Sequence, residues 1–366
     1  MGQPTTRVAD VRLNAFERFP WRRAILVILA VVITAVVVIG SLKTLSLTPA
    51  EGGLPANDWV RLIVQGVSQG AIFGLIALGY TMVYGILRMI NFAHGEVFMA
   101  GAFCSMFFAQ GFSDSGFMNS NTVIAMIILF AVAIAASTGI AVLLERVAYR
   151  PVRSAPRLVP LITAIGASLF IQNAFRGFFG PQPYAYPQPG PLVGTVTILG
   201  IKMQKIEVLT LLVAIAAMVT LQLLVSRTRT GRSMRAVAED REIASLMGID
   251  VKRTIVITFV IGAVLAGVAA VLYSLTFQQV QFTMGFKPGI VAFTAAVLGG
   301  IGSIGGSVLG GFTIGVLRAV GPALLLTGFG VPSPYSLTDA FVFLVLVLVL
   351  VYRPGGLLGH GEAEKV

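Results

Sequence analysis

The chain has 366 residues, of which 56% are hydrophobic and 11% are charged, and its mean hydropathy is +0.90. Soluble domains carry about 25% charged residues, so this composition excludes an ordinary soluble protein and indicates one that spans a membrane several times. A net charge of +11 would suggest nucleic acid binding in a soluble protein, but here the basic residues lie in particular loops, where they set topology. The single cysteine, Cys104, excludes an internal disulfide and a Cys/His metal cluster, and we expect no metal site.

Apolar runs that predict helices follow one another along the whole chain. A helix needs about 20 apolar residues to cross the hydrocarbon. We place helices at about 24–42, 60–87, 91–110, 122–144, 158–175, 208–225, 255–274, just before Gly299, 307–325 and 337–352. The predicted fold is therefore an all-α polytopic membrane protein with ten helical segments, or nine if 290–320 forms one broken span.

The charges of the loops predict the orientation of these helices. Residues 1–23 carry five arginines, and the loop 145–157 carries four. Short basic loops stay on the cytoplasmic side, so we expect a cytoplasmic N-terminal segment (1–23), a transmembrane domain (24–353) and a cytoplasmic tail (354–366). The proline-rich segment 177–200 is expected to be an external loop. Arg318 fits this topology poorly, because it falls in the outer half of a helix with no acidic neighbour in sequence.

The longest strongly charged segment between the predicted spans is 226–253. Its apolar residues recur at helical spacing, and Gly248 is placed to end the helix. We therefore predict an amphipathic cytoplasmic helix over 236–248. A solvated loop that only sets topology needs no apolar face, so an exposed group of apolar side chains here predicts a docking surface for another protein. Its apolar members are Ile243, Leu246 and Met247, and its polar rim is Glu239, Arg241 and Glu242.

Three polar residues, Asn91, His94 and Glu96, lie between two apolar runs. Asn91 and His94 share a helical face, whereas Glu96 points elsewhere, so no catalytic triad is predicted. Asn91 fits an N-cap of the third helix, and Glu96 fits the positive end of the helix dipole or an ion pair with Arg88. Because buried polar groups are costly in a membrane, we predict a packed joint or a gate on the translocation path.

A glycine-rich run extends over 298–315. It lacks the Gly-x-x-x-x-Gly-Lys string of a phosphate-binding loop and the strand and turn of a dinucleotide site, so no bound cofactor is predicted. Small residues let helices approach closely, and we predict helix packing here; an unwound segment beside a pathway is the alternative. The predicted packing residues are Gly299, Gly300, Gly302, Gly305 and Gly306.

Four separated segments, 79–85, 90–96, 238–248 and 293–303, resemble the LivH-type inner-membrane permeases of bacterial branched-chain amino acid ABC transporters. The resemblance covers about 60–358. It implies a permease subunit, not an enzyme, in the bacterial inner membrane. The implied partners are a second, homologous permease, two cytoplasmic ATPase subunits that use the ATP, and a periplasmic substrate-binding protein.

The segment 242–248 resembles the Glu-Ala-Ala loop by which such permeases dock on their ATPase, although no Ile-x-Leu-Pro follows it. The implied docking residues are Glu239, Arg241, Glu242, Ala244, Leu246 and Gly248. Urea and short-chain amide importers share the 91–96 pattern, so the substrate remains open between these compounds and branched-chain amino acids. The rival class is a proton-coupled secondary amino-acid transporter with His94 and Glu96 as relay groups; a channel is disfavoured, because a passive pore needs no docking helix.

Overall fold

The computed structural model describes residues 20–48, 53–153, 155–156, 158–198, 200–353 and 355–358. Most of the predicted N-terminal segment 1–23 and most of the predicted tail 354–366 therefore lie outside the described residues. The chain forms two compact units. One contains the described residues up to Pro55 together with Gly321–Ser336, and the other, larger unit contains Ala56–Val320 and the residues from Leu337 onward.

The described residues are mostly helical, as the apolar runs predict. The long helices are α1 (Pro20–Ser46), α2 (Ala56–Leu87), α3 (His94–Asp114), α5 (Thr122–Leu143), α6 (Leu158–Phe179), α7 (Lys205–Arg227), α10 (Val251–Phe277), α11 (Phe286–Gly299), α12 (Ile304–Leu326) and α13 (Thr338–Tyr352). The short helices are α4 (Phe117–Ser120), α8 (Arg229–Glu239) and α9 (Arg241–Leu246). A π-helical turn, Leu144–Tyr149, continues α5.

Within the described ranges, seven helices are long and apolar enough to cross a membrane. The prediction of an all-α polytopic membrane protein is therefore confirmed, whereas the number of crossings and the side on which each terminus lies stay predictions. Helices α2 and α10 are largely buried, whereas α5, α6, α7 and α13 expose apolar faces of the kind that contact lipid. Helix α2 is thus the central element of the larger unit.

The segment 177–200, expected to be an external loop, begins inside α6, which ends at Phe179, and continues as strands and turns. Strand β1 (Tyr184–Ala185) pairs antiparallel with β4 (Gln279–Val280), and β2 (Thr195–Ile198) forms a hairpin with β3 (Ile201–Gln204). The buried Tyr186 hydroxyl donates to Oγ of Ser105 on α3 at 3.3 Å. This segment is therefore attached to the helical core.

Helices α11 and α12 are separate and are joined by a tight turn. Gly300 and Gly302 occupy this turn with φ angles of 105° and 96°, a region that favours glycine. A Cβ at Gly299 would overlap the backbone of Gly306, whereas a Cβ at Gly305 would meet open space. Close helix packing therefore falls on Gly299 and Gly306, whereas Gly300 and Gly302 serve the turn and Gly305 has room for a side chain.

Two basic residues lie on these helices. Lys287 lies in the first turn of α11 with Pro288, because proline is tolerated where helical N–H groups have no partner. Arg318, which lacked an acidic neighbour in sequence, pairs with Asp339 of α13 at 3.2 Å. Asp339 is 21 residues further along the chain, so only the helix packing reveals this pair.

In the smaller unit, the end of α1 is held against the 3₁₀ turn Thr327–Phe329. The amide of Gly328 donates to Oγ1 of Thr44 at 2.7 Å, and Nζ of Lys43 lies 5.7 Å from the ring centroid of Phe329. The charge of Lys43 is thereby placed over an aromatic face.

Candidate functional site

Helix α3 begins at His94, three residues later than the sequence predicts. Ala93 is the residue that precedes the helix, and no side chain caps it. The predicted N-cap role of Asn91 is therefore wrong. Its Oδ1 instead accepts a hydrogen bond from the Tyr149 hydroxyl at 2.5 Å, and both side chains are buried. The pair ties the segment before α3 to the π-helical end of α5.

His94 is fully buried against α2. Its ring lies edge-on to Tyr80, with centroids 4.9 Å apart, and hydrogen-bonds the backbone of Ile76. A Cβ at Gly79 would overlap the imidazole, so this glycine makes room for the ring. Among the described residues, Nε2 of His94 meets no hydrogen-bonding partner.

Glu96 is also fully buried, and it faces other helices. Its Oε1 accepts a hydrogen bond from the Ser168 hydroxyl of α6 at 3.2 Å. Its Oε2 lies against Gly285, where a Cβ would overlap it, and meets no hydrogen-bonding partner within the described part of the chain. The Glu96 side chain therefore lies between α6 and the residue that precedes α11.

The structure thus brings Asn91, His94 and Glu96 to one buried region, but each contacts a different neighbour. We call this region, with Tyr80, Tyr149 and Ser168, the polar joint. Tyr80 lies in the segment 79–85 that resembles the family but had no predicted role, and no role was predicted for Tyr149 or Ser168. A hydroxyl-bearing residue inside an apolar run is a sequence signal that could have indicated Tyr149 and Ser168. Many such hydroxyls, however, bond only the backbone of their own helix.

The hydrogen bond between Asn91 and Tyr149 should contribute measurably to stability. Tyr149→Phe leaves the buried amide oxygen of Asn91 unpaired, so we expect a loss of about 1–3 kcal/mol in the free energy of unfolding. Unfolding of the full chain by SDS in mixed micelles measures this free energy of unfolding. In a double-mutant cycle with Asn91→Leu, the two losses should be less than additive by about 1 kcal/mol; additive losses would contradict the pairing.

The predicted single helix over 236–248 is wrong, because the chain breaks at Asp240 into α8 and α9. The Oδ1 of Asp240 accepts hydrogen bonds from the amides of Glu242 (2.8 Å) and Ile243 (3.0 Å), which caps the start of α9. Gly248 follows α9 with a φ of 81°, as expected for a glycine that ends a helix.

The apolar residues of this segment are exposed together. Ile243, Leu246 and Met247 are 60%, 84% and 78% exposed, and we call them the docking surface. Glu239 and Glu242 are exposed beside them, whereas Ala244 is buried on the opposite face of α9. Exposed apolar patches of this kind mark sites of protein–protein contact.

The sequence predicts that Arg241 belongs to an exposed polar rim, but the structure places its side chain differently. Its Nη2 donates to the backbone oxygen of Ile86, near the end of α2, at 2.6 Å. Burial, together with the nearby charges of Arg153 and Arg88, lowers the pKa of the Arg241 guanidinium. Helix α9 is therefore fastened to the central helix α2 while its apolar side chains face outward.

These features define a multi-pass helical membrane protein with buried polar contacts between its helices and a surface suited to binding another protein. The family model described as the permease component of the branched-chain amino acid transport system matches residues 62–350, and the chain belongs to this family. The resemblance found in the sequence is thereby confirmed.

Relatives of known name agree with this assignment. The chain is 43% identical over 311 residues to the high-affinity branched-chain amino acid transport system permease protein BraD of Pseudomonas aeruginosa, covering 84% of this chain and 98% of that protein. It is 40% identical, with the same coverage, to the corresponding permease protein LivH of Escherichia coli. A probable LivH protein of Methanocaldococcus jannaschii is 25% identical over 82% of this chain and 92% of its own length.

Proposed function

We propose that the chain is the transmembrane permease subunit of an ATP-driven importer for branched-chain amino acids in the bacterial cytoplasmic membrane. The observation that carries this proposal is the docking surface, which is exposed on a helix that Arg241 fastens to α2. The family supports the substrate class, because its relatives are named as permeases of branched-chain amino acid transport systems.

The proposed partners are those that the family resemblance implies. A second, homologous permease completes the membrane part, and two ATPase subunits bind and use the ATP, while this chain binds no cofactor. A periplasmic binding protein delivers the amino acid. In this proposal, closure of the ATPase pair moves α9, and the bond from Arg241 to Ile86 transmits that movement to α2.

Uptake by right-side-out vesicles that contain the assembled transporter tests this function. We expect labelled leucine to enter only with ATP inside and the binding protein outside, and to enter equally well with an uncoupler while ATP is maintained. Uncoupler-sensitive uptake without ATP would assign the chain to proton-coupled transporters instead. Uptake of labelled urea or acetamide, but not leucine, would assign it to the amide importers.

We further propose that the polar joint is a gate on the translocation path. Buried charged groups in membrane segments are costly and commonly serve a path, and Glu96 and His94 each keep one polar atom without a partner among the described residues. Opening of this region would hydrate both atoms, which favours the open form. The same burial also fits a joint that only packs helices, so assembly and transport must be measured separately.

The substitution Glu96→Gln tests the gate. The amide keeps an oxygen for Ser168 but removes the cost of burying a carboxylate, so the closed form should gain stability relative to the open form. We expect unchanged assembly and leucine uptake reduced about tenfold or more, which corresponds to roughly 1.4 kcal/mol. The matched control is Asp114→Asn, the same chemical change at the exposed far end of α3. Loss of assembly in Glu96→Gln would assign the region a packing role only.

A further inference from the structure

Four basic side chains converge on one concave site of the larger unit. Arg150, Arg153, Arg241 and Lys252 line a cavity of about 650 Å³. They come from three places in the chain: the turn after the π-helical end of α5, the start of α9 and the first turn of α10. We call this cavity the basic pocket.

The positive charge of the basic pocket is poorly compensated within the described residues. Its acidic neighbour is the fully buried Glu145, which Arg153 contacts at 2.5 Å and Arg150 at 3.9 Å. The pocket therefore holds four basic groups against one carboxylate. Arg241 lies in the same positive electrostatic field. Burial lowers the pKa of its guanidinium, and the nearby charges of Arg153 and Arg88 lower it further. A cleft lined by charges of one sign concentrates ions of the opposite sign.

The location of the pocket favours a lipid as the source of the anion. It lies at the predicted cytoplasmic ends of α5 and α10, two helices that are long and apolar enough to span the membrane. Leu143 and Val147, which precede Arg150 by seven and three residues, are 57% and 67% exposed. Both residues lie on the continuous helical segment that leads into the turn with Arg150, so exposed apolar surface extends along this segment to within three residues of the basic pocket.

We propose that the basic pocket binds the phosphate of an anionic phospholipid, with an acyl chain of that lipid along Leu143 and Val147. Basic pockets between membrane helices on the cytoplasmic side are suited to lipid headgroups, and each nearby Lys or Arg strengthens this attraction. The inference depends on the membrane location of the chain and does not depend on the transported substrate or on the source of energy.

Spin-labelled lipids measure this binding directly. The full-length chain is placed in phosphatidylcholine vesicles that contain trace spin-labelled phosphatidylglycerol, and the immobilised fraction is compared with that of labelled phosphatidylcholine. We expect the wild type to prefer the anionic lipid. The double substitution Arg150→Gln with Lys252→Gln removes two exposed charges of the pocket and should lower this preference about 25-fold, at about fivefold per basic residue.

The matched control removes two exposed charges from α8, outside the pocket, by Arg229→Gln with Arg232→Gln, and should keep the wild-type preference. An equal loss in the control would overturn the proposal, because it would reveal attraction to net charge alone. Displacement of the lipid by millimolar inorganic phosphate would assign the pocket to a free anion. Release of the lipid when the ATPase subunits bind would assign the basic pocket to contact with those subunits. Either of these two results would also overturn the proposal.

Discussion

Replacing Leu246 by glutamate is expected to abolish capture of the ATPase subunits while the chain remains folded in the membrane. Leu246 is 84% exposed, so the substitution removes little packing within the chain, and surface changes of this kind alter stability by about 0.5 kcal/mol or less. In a contact with the ATPase, the same side chain would be buried. An unpaired carboxylate there should cost about 3 kcal/mol or more, which is a loss of affinity of at least about a hundredfold.

Co-purification of the ATPase subunits and ATP-dependent leucine uptake measure this effect, and SDS unfolding of the isolated chain measures its stability. Leu246→Met is the matched control, because it keeps an apolar side chain of similar volume, and it should retain capture and uptake. Wild-type capture and uptake in the Leu246→Glu variant would show that the docking surface does not bind the ATPase subunits. Unfolding of the variant chain would show that Leu246 has a structural role, contrary to its exposure.

The consequence of docking depends on how α9 is attached. Arg241 bonds the backbone of Ile86, and Ala244 packs inward, so one face of α9 belongs to the core of the larger unit while the other is free. A displacement imposed on the docking surface would therefore reach α2, the most buried of the seven apolar spans. Helix α2 also supplies Tyr80, which contacts His94 at the start of α3. A continuous set of contacts thus connects the docking surface with the polar joint.

Local sequence signals predicted the helices and the exposed apolar residues of α9. Apolar runs locate long helices because each must bury or present to lipid a continuous apolar surface. The break at Asp240 was also readable, since aspartate is a favoured N-cap residue and its side chain bonds amides only two and three residues away. Features whose causes lie within a few residues were thus accessible to sequence reasoning.

The partners of the polar residues were not accessible in this way. Asn91 and Tyr149 are 58 residues apart, and Glu96 and Ser168 are 72 residues apart, so each contact depends on how whole helices pack. Nothing in the sequence separates Arg241, which bonds the core, from an exposed arginine. The assignment of Asn91 as an N-cap failed because α3 begins three residues later, at His94, while the Asn91 side-chain oxygen accepts from the distant Tyr149.

The largest loss of stability is expected where two glycine faces meet backbone to backbone. Gly66, Gly70 and Gly74 recur every four residues on α2 and face Gly311 and Gly315 of α12. A Cβ at Gly70 would lie 2.8 Å from the backbone oxygen of Gly311. Small residues at this spacing allow membrane helices to approach closely. The glycines of 298–315 were predicted to pack helices, whereas the matching stripe on α2 was not predicted, although its four-residue spacing is visible in the sequence.

Gly311→Val should therefore destabilise the chain strongly. The new side chain would overlap the backbone of Gly74, and neither helix can yield by rotating a side chain, so we expect a loss of about 3 kcal/mol or more in the free energy of unfolding. SDS unfolding and the yield of monodisperse protein measure the loss. Gly139→Val is the matched control, because Gly139 is exposed on α5 and a Cβ there meets open space, so the same β-branched residue should change stability by about 1 kcal/mol or less. Equal stability of the two variants would mean that α2 and α12 are not in backbone contact in the membrane.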